Sequence, residues 1–595
     1  VAAMAVGAFI LSQLRGMELA ESFRFIIALS VSAVPESLPV AISVVLVLGM
    51  RRMAAKKALV RTMRAIETIG TITTIATDKT GTLTKNKLTV LNTWTLSSSL
   101  VSTMAGSINR RDGKLHDPLD DAFMAYTEEQ GAAISKYQPA ETFPFDQAMA
   151  MSGNLWHKGS DYHLALKGAP EQVLAASDLT ENEREQAEAM LHKLTGEGYR
   201  VIALAHLDSK KPIKLLRDLK KTKLEFDGFA AVADVLRPEA KKAIETALNA
   251  GVTVRMITGD HFETAFHIGK QLGMVSRRDQ VFDSRRMHVM SDEELEKIID
   301  EIRVFSRVIP EHKYRILSIL KKHNITAMTG DGVNDVPALT NAHVGVAMGS
   351  GAHIAKDAGD IILTDDNFKG IVDAMREGRT IFANVRRMLY YLLATNTGEV
   401  LTMIGALVVG LPVPLMPVQI LWINLVTDTS MVIPLGLEPG EKTNMTAKPL
   451  PPTAPILNKY LISRMVLIAL TMAGLTISLY AAYSAQYGHD YGRTIAFSSL
   501  VVMQWASAFC ARSEYQSLFS RLGVFNGKFY IGLTVGLILQ GLVLFGPFGP
   551  LLHITSVAIG DLAITAAVAF VVPITIVEIH KWIGRRCFLP SRANT

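Results

Sequence analysis

Thr71-Ile72-Thr73-Thr74-Ile75-Ala76-Thr77-Asp78-Lys79-Thr80-Gly81-Thr82-Leu83-Thr84 is the stretch on which the reading of this chain turns. Its first half is β-branched and almost unbroken, the pattern of a strand buried on both faces of a parallel sheet. Such a strand delivers Asp78 to its carboxyl end, the side on which open α/β sheets hold their ligands. A carboxylate there can attack a γ-phosphate in line and form an aspartyl-phosphate. Thr80 and Gly81 would set a hydroxyl and backbone donors beside the anion. An Asp that opens a turn is most often only a cap, but the whole heptapeptide behind a hydrophobic strand is a far narrower pattern.

Outward from this strand the soluble centre divides in three. After residue 229, strand-like runs at 252–258, 304–306 and 325–329 alternate with helix-like runs at 238–250 and 310–322, which predicts a parallel sheet. Between 91 and 228 the pattern is mixed, with strand-like 162–167 and 200–206 and helix-like 181–194. The simplest account is one α/β domain, 51–90 and 229–387, interrupted by an inserted α+β domain, 91–228. Neither internal repeats nor low-complexity segments break it up.

Apolar residues, 49% of the 595, crowd into the two ends of the chain, and mean hydropathy is +0.24. One span is predicted at 23–50 and six more at about 388–409, 415–436, 461–484, 494–512, 529–547 and 558–581. Their loops alternate in charge. Arg51, Arg52, Lys56, Lys57, Arg61 and Arg64 follow the first span. Arg386 and Arg387, then Lys442, Lys448 and Lys459, then Arg512, Arg521 and Lys528, then Lys581, Arg585 and Arg586 fall on the same side, which the positive-inside rule makes cytoplasmic. The net charge of +6 therefore argues topology and not nucleic-acid binding. Residues 586–595 would be a cytoplasmic tail. Cys510 and Cys587 lie in or beside apolar segments, so neither a disulfide framework nor a cysteine metal site is expected. The run 1–14 is short for a span of about 20 residues and Val1 is not an initiator, so the chain is expected to start within a membrane helix.

Carboxylates inside the spans mark candidate ion sites, because a charge at that depth is costly. Pro35-Glu36-Ser37-Leu38-Pro39 sets Glu36 between two prolines that break the helix and free backbone carbonyls. Asn396 and Glu399, three apart, share a helical face, and Asn424, Thr427 and Asp428 repeat the arrangement. All of these are oxygen donors, which suits a hard cation and argues against Cu⁺ or Zn²⁺.

Asp78–Thr84 resembles the phosphorylation motif of the P-type cation-transporting ATPases, whose phosphorylation domain is similar to the haloacid-dehalogenase fold. Thr258-Gly259-Asp260, Lys313 in Pro310-Glu311-His312-Lys313, and Thr329-Gly330-Asp331-Gly332-Val333-Asn334-Asp335 match the family's further motifs in the same order. The resemblance implies a multidomain membrane protein, an α-helical bundle carrying a haloacid-dehalogenase-like α/β domain with an inserted nucleotide-binding domain. It also implies roles. Asp78, Asp331 and Thr80 would hold Mg²⁺, Asp335 would support that metal, and Thr258, Gly259, Asp260, Lys313 and Asn334 would meet the phosphate, with Lys79 beside them.

In the inserted domain, Lys167-Gly168-Ala169-Pro170-Glu171 matches the family's KGAPE motif, Phe145 takes the place of an adenine-stacking aromatic, and Asp120 in Asp117-Pro118-Leu119-Asp120 stands where a Glu is usual. ATP would bind there. The family's basic pair after the aromatic is replaced by Gln147-Ala148-Met149, which removes a phosphate-facing charge. In the membrane, Leu421–Asp428 resembles the sixth helix of sarcoplasmic-reticulum-type calcium pumps. One Ca²⁺ site is implied by the carbonyls of Val31, Ser32 and Val34 with Glu36, Asn424 and Asp428. A second would use Asn396, Glu399, Thr427 and Asp428, with the neutral Gln504 in the position of a Glu. The expected activity is ATP-driven export of Ca²⁺, with Na⁺ or Mn²⁺ as alternative ions and a membrane-anchored haloacid-dehalogenase-type phosphatase as a distant alternative. ATP, Ca²⁺ and the bilayer are the expected partners, without an obligatory protein, in a prokaryotic plasma membrane. The resemblance starts near the third transmembrane helix, so the first two helices and the actuator domain, with its TGES loop, are expected to be missing and this chain alone unable to complete a transport cycle.

Overall fold

In a computed structural model the chain is described at residues 2–109, 117–131, 137–213, 223–449 and 454–588. Residues 589–595 of the expected tail lie outside these. Among the described residues, seven helices are long and apolar enough to cross a membrane: Leu38–Ala55, Phe368–Val409, Pro417–Gly436, Lys459–Tyr487, His489–Ala511, Gly527–Leu544 and Ile559–Arg586. The span expected at 23–50 is two helices, Leu19–Ser32 and Leu38–Ala55, with residues 33–37 unwound between them. Pro35 has no N–H to continue the first helix, and Pro39 sits in the opening turn of the second, where that N–H is not needed.

The soluble centre holds two sheets. The first strands in chain order are β1 (Ala58–Val60) and β2 (Thr74–Asp78). β2 starts three residues later than the β-branched run because Thr71 closes a helix, Met63–Thr71. Next come β3 (Thr84–Thr95), β4 (Gln138–Asp146), β5 (Met151–Lys158), β6 (Asp161–Gly168), β7 (Arg200–Ser209) and β8 (Glu225–Leu236). They pair only antiparallel, in the order β3-β8-β7-β6-β5-β4. The helix-like run there is Glu181–Gly196, where Thr180 and Glu183 cap each other's backbone N–H reciprocally.

The chain then returns to the first sheet with β9 (Thr253–Ile257), β10 (Val281–Asp283), β11 (Val304–Ser306), β12 (Thr326–Gly330), β13 (Val344–Met348) and β14 (Ile361–Leu363). The order is β1-β14-β13-β12-β2-β9-β11-β10, parallel except for the β1–β14 edge. β2 is central, with Ile75 and Ala76 fully buried, so trimming Ile75 to Ala would cost about 2–5 kcal/mol. Because β12 and β9 flank β2 in parallel register, the three strand ends bring residues 78, 258 and 331 to one edge.

Three expected boundaries fall inside continuous elements. Residues 91 and 228 lie within β3 and β8, a paired ribbon leading from one sheet to the other. Residue 387 lies within Phe368–Val409, a helix of 42 residues that is roughly 60 Å long at about 1.5 Å per residue, twice a hydrocarbon core. This helix packs directly on Met63–Thr71, the helix that feeds β2. A Cβ on Gly70 would stand 2.7 Å from the Gly378 carbonyl carbon and one on Gly378 2.8 Å from the Gly70 nitrogen, so only glycines allow this contact. The strand that ends at Asp78 is thus tied to the helix that carries Asn396 and Glu399.

Candidate functional site

Asp78 leaves β2 into a turn in which Gly81 adopts φ +72°, the left-handed region that a side chain resists. The turn is held from several sides. The Thr80 N–H donates to Asp78 Oδ1 at 3.3 Å, and the Asp78 N–H donates to Thr329 Oγ1 at 3.0 Å. Arg237 donates to the Gly81 carbonyl at 3.3 Å and the Thr84 carbonyl at 3.2 Å, and Thr84 Oγ1 donates to Asp234. Arg237 and Asp234 were not foreseen. They come from the end of β8, some 150 residues on, and no local signal marks them.

Lys313 Nζ donates to Asp78 Oδ2 and, at 2.8 Å, to Asp335 Oδ1. Burial alone would lower the Lys313 ammonium, but the charges of Asp78 and Asp335 outweigh it and hold it above the usual lysine value. Asp335 Oδ2 accepts the N–H groups of Asp331 and Gly332, both at 3.1 Å, which folds 331–335 into a tight loop. The Asp331 carboxyl is raised by burial and then by the charges of Asp78 and Asp335, against Lys313. Its Oδ2 lies where a Cβ on Gly81 would touch it, at 3.4 Å. Lys79 Nζ stands 3.0 Å from Asp260 Oδ2, and the Asp260 N–H donates to Thr258 Oγ1 at 3.1 Å. Asn334 is exposed at the mouth.

Asp78 with Asp331, the latter pushed towards its protonated form by burial and then by the charges beside it, suits a divalent cation. Among the described residues no group of three or more Asp, Glu, His or Cys is placed to hold a metal ion by itself. Mg²⁺ fits such a sparse set, because it is commonly held by one or two carboxylates with phosphate and water.

In the antiparallel domain, Lys167 Nζ pairs with Asp120 Oδ1, and both residues are buried. Burial lowers the lysine and raises the acid, each opposed by the other's charge. The register sets Asp146 opposite Met151 and Met151 opposite Gly168, so Phe145 and Lys167 stand at the same end of β4 and β6, the two strands that flank β5. Phe145 is 62% exposed, an unusual position for a phenyl ring and one that leaves its face open to a planar ligand. The Asp146 carboxylate accepts from the N–H groups of Ala148 and Met149, at 2.8 and 3.2 Å, which closes the turn where the basic pair is missing.

In the bundle, Asn396, Glu399, Asn424, Thr427, Asp428 and Gln504 are all buried. Gln504 links two of them: its Nε2 donates to Glu399 Oε1 and its Oε1 accepts from Thr427 Oγ1, both at 2.9 Å. Tyr391 donates to Asp428 Oδ1 at 3.0 Å, and Asn424 Nδ2 to the Val31 carbonyl at 3.2 Å. The Asp428 N–H reaches back five residues to Ile423, a wide π-turn in the middle of this helix. Such turns re-aim side chains and recur at functional sites. Among these six side chains, four oxygens are left buried without a hydrogen-bond partner: Asn396 Oδ1, Glu399 Oε2, Asn424 Oδ1 and Asp428 Oδ2. The buried Ser32 hydroxyl is also unpartnered, while the Val31 carbonyl also takes the Val34 N–H, and that of Val34 takes the Glu36 N–H. Glu36 and Val34 are exposed in the unwound segment, and Glu36 does not join Glu399 and Asp428.

The whole arrangement has relatives. Residues 412–583 match the family profile for the C-terminus of cation transporting ATPases, and 72–343 and 315–375 match haloacid dehalogenase-like hydrolases. A calcium-transporting ATPase of Bacillus subtilis is 35% identical over 92% of this chain and 68% of its own length. Calcium-transporting ATPase 1 of Bacillus cereus is 31% identical over 97% of the chain and 71% of that protein. Probable cation-transporting ATPase F of Mycobacterium tuberculosis is 32% identical over 90% of the chain and 66% of that protein. Identity at this level runs through both the sheet that ends in Asp78 and the bundle that buries Glu399 and Asp428, and on it the chain belongs to the P-type cation-transporting ATPases.

Proposed function

We propose that this protein is an ATP-driven pump that phosphorylates itself on Asp78 and exports Ca²⁺ from the cytoplasm of a prokaryotic cell. The observation that carries the ion reading is the set of four unpartnered oxygens, on Asn396, Glu399, Asn424 and Asp428, buried between membrane helices. Buried polar atoms are ordinarily satisfied, and a buried carboxylate oxygen with no donor is costly unless a cation answers it. Amide and carboxylate oxygens select a hard ion, and the names of the Bacillus relatives favour Ca²⁺. Gln504 brings no charge, so a second ion would be held more weakly than the first. Glu36, with the carbonyls of Val31, Ser32 and Val34, would close over the bound ion by a movement of the unwound segment. The bacterial origin of the relatives supports the plasma membrane.

At the sheet edge, ATP would lie with its adenine on Phe145 and its phosphates towards Lys167 and Gly168, with Asp120 holding the lysine. An Asp78 oxygen attacks the γ-phosphorus in line. The bond to the β,γ-bridging oxygen breaks and ADP leaves with that electron pair. Lys313 already bonds the attacking carboxylate and stands ready to neutralise the phosphoryl oxygens. Thr258, Gly259, Asp260 and Asn334 form the rest of the phosphate cradle, and Lys79 is held beside it by Asp260. Mg²⁺, held by Asp78, Asp331 and Thr80 and steadied through Asp335, would supply charge neutralisation when bound.

The test is phosphoenzyme formation from radiolabelled ATP in membrane vesicles across Ca²⁺, Na⁺, Mn²⁺ and K⁺, with Asp78→Asn as the blank. Acid-stable label that requires micromolar Ca²⁺ and is lost in the variant is the expected result. Label that follows Na⁺ or Mn²⁺ and ignores Ca²⁺ would keep the pump and overturn the ion. Label that survives in Asp78→Asn would overturn the mechanism.

A further inference from the structure

A cavity of about 440 Å³ lies outside both sites, where the bundle meets the cytoplasmic domains. Its walls come from the long Phe368–Val409 helix, the segment 441–449, the start of Lys459–Tyr487, the segment 511–516 and the end of the last helix. Six cationic side chains line it, Arg379, Arg386, Arg387, Lys448, Arg464 and Arg585, against two carboxylates, Glu441 and Glu514. Those two are already engaged, Glu441 with Arg387 and Glu514 with Arg386 at 3.1 Å. Four cations therefore have no carboxylate among the described residues. Arg379 and Arg585 donate to backbone carbonyls only.

Arg464 is the telling one. It is 1% exposed, its guanidinium carbon lies 4.7 Å from the Tyr460 ring centre and 5.8 Å from that of Tyr390, and its Nε donates to His580 Nδ1 at 3.4 Å. Its Nη2 and the buried Tyr390 hydroxyl both lack a hydrogen-bond partner. A buried guanidinium with a free N–H, beside other uncompensated cations and open space, is a site short of an anion. Phe382, Leu461 and Pro449 make part of the wall apolar. The Lys and Arg flanks put this end of the bundle at the cytoplasmic face.

We propose that the cavity binds a phosphate-bearing anion, and that its source is the headgroup of an acidic phospholipid of the cytoplasmic leaflet. Basic pockets between membrane helices on that side take such headgroups. The phosphodiester would accept from Arg464 Nη2 and the Tyr390 hydroxyl, with Lys448 and Arg585 at the rim. Because the cavity joins the long helix to the segment after Pro417–Gly436, an occupant would brace the two helices that carry Glu399 and Asp428.

The full chain in phosphatidylcholine nanodiscs with a graded share of phosphatidylglycerol, followed by native mass spectrometry, counts what is retained. Wild type should hold about one phosphatidylglycerol in preference to phosphatidylcholine. Arg464→Gln should weaken that retention roughly tenfold and Lys448→Gln about fivefold. Lys448 is exposed, so its variant keeps the test open should the buried one fail to fold. Displacement by inorganic phosphate would assign the cavity to a free anion and overturn the lipid. Equal retention of phosphatidylcholine, or unchanged retention in Lys448→Gln, would overturn the site.

Discussion

Asp78 and Asp335 share the Lys313 ammonium, Asp260 has Lys79, and the backbone N–H groups of 331 and 332 close on Asp335. In the bundle, Glu399 and Asp428 receive one hydrogen bond each, from an amide and a phenol, and neither has a cationic partner among the described residues. The sheet-edge site carries its own counter-charges and keeps its geometry without a ligand. The membrane site is incomplete until a cation arrives. Under the proposed function the contrast suits the two tasks: one site would hold a reactive carboxylate in line at every encounter with nucleotide, whereas the other would have to release its ion as readily as it takes it.

Removing the internal counter-charge should have the largest effect. Lys313→Met leaves Asp78, Asp331 and Asp335 facing one another with no ammonium, and phosphoenzyme formation should fall roughly 10²–10³-fold. Near-normal labelling would mean that Lys313 is only a structural pair and would break the contrast. Asp428→Asn should act in the opposite sense on stability. It keeps an acceptor for Tyr391 but removes an uncompensated buried charge, so the ion-free protein should melt at a higher temperature. The ion concentration for half-maximal phosphorylation should rise about 100-fold, the size of one lost charge pair of ~2.7 kcal/mol. A variant that melts lower without ion would show that Asp428 is compensated after all.

Legibility in the sequence followed the same division. The strand into Asp78, the β/α alternation and the apolar runs are local patterns, and the sheet around β2 and the seven apolar helices among the described residues agree with them. Asp234 and Arg237 grip the Thr80–Thr84 turn from the far end of the inserted domain, and contacts that distant have no periodicity to betray them. The π-turn at 423–428 occurs without proline or glycine, so Leu421-Trp422-Ile423-Asn424 reads as ordinary helix. Boundaries were least legible where one element serves two domains, as β3, β8 and the 42-residue helix do. No breaker residue is needed where the backbone simply continues.

Gln504 offers a smaller test of the membrane half. Its Nε2 now donates to Glu399, and Gln504→Glu would replace that donor by an acceptor facing the Glu399 carboxylate, while Thr427 could still donate to it. The added carboxylate should be tolerated only with its charge answered, and apparent ion affinity should rise about tenfold, or ~1.4 kcal/mol. An unchanged ion dependence of phosphoenzyme would place Gln504 outside the ion's reach.

The smallest effect concerns a carboxylate between the two extremes. Asp227 is fully buried in the inserted domain and accepts from Thr103 Oγ1 at 2.7 Å, but its counter-charge is His206, 2.9 Å away and removable by pH. The hydrogen bond to Asp227 raises the His206 imidazolium above its ordinary value, against burial, with Glu225 and Asp208 adding to the effect. A histidine raised on folding contributes stability that is full below its unfolded value, near 6.5, and lost as pH climbs through the folded value. Hydrogen exchange in the full chain, corrected for intrinsic rates, should therefore show β7 and β8 amides opening more easily at pH 8 than at pH 6. His206→Gln should flatten that dependence, because its amide can still donate to Asp227 but cannot lose a proton. Were the pH dependence to survive in His206→Gln, Asp227 would belong with Glu399 and Asp428 as a buried acid whose compensation is not yet in the chain.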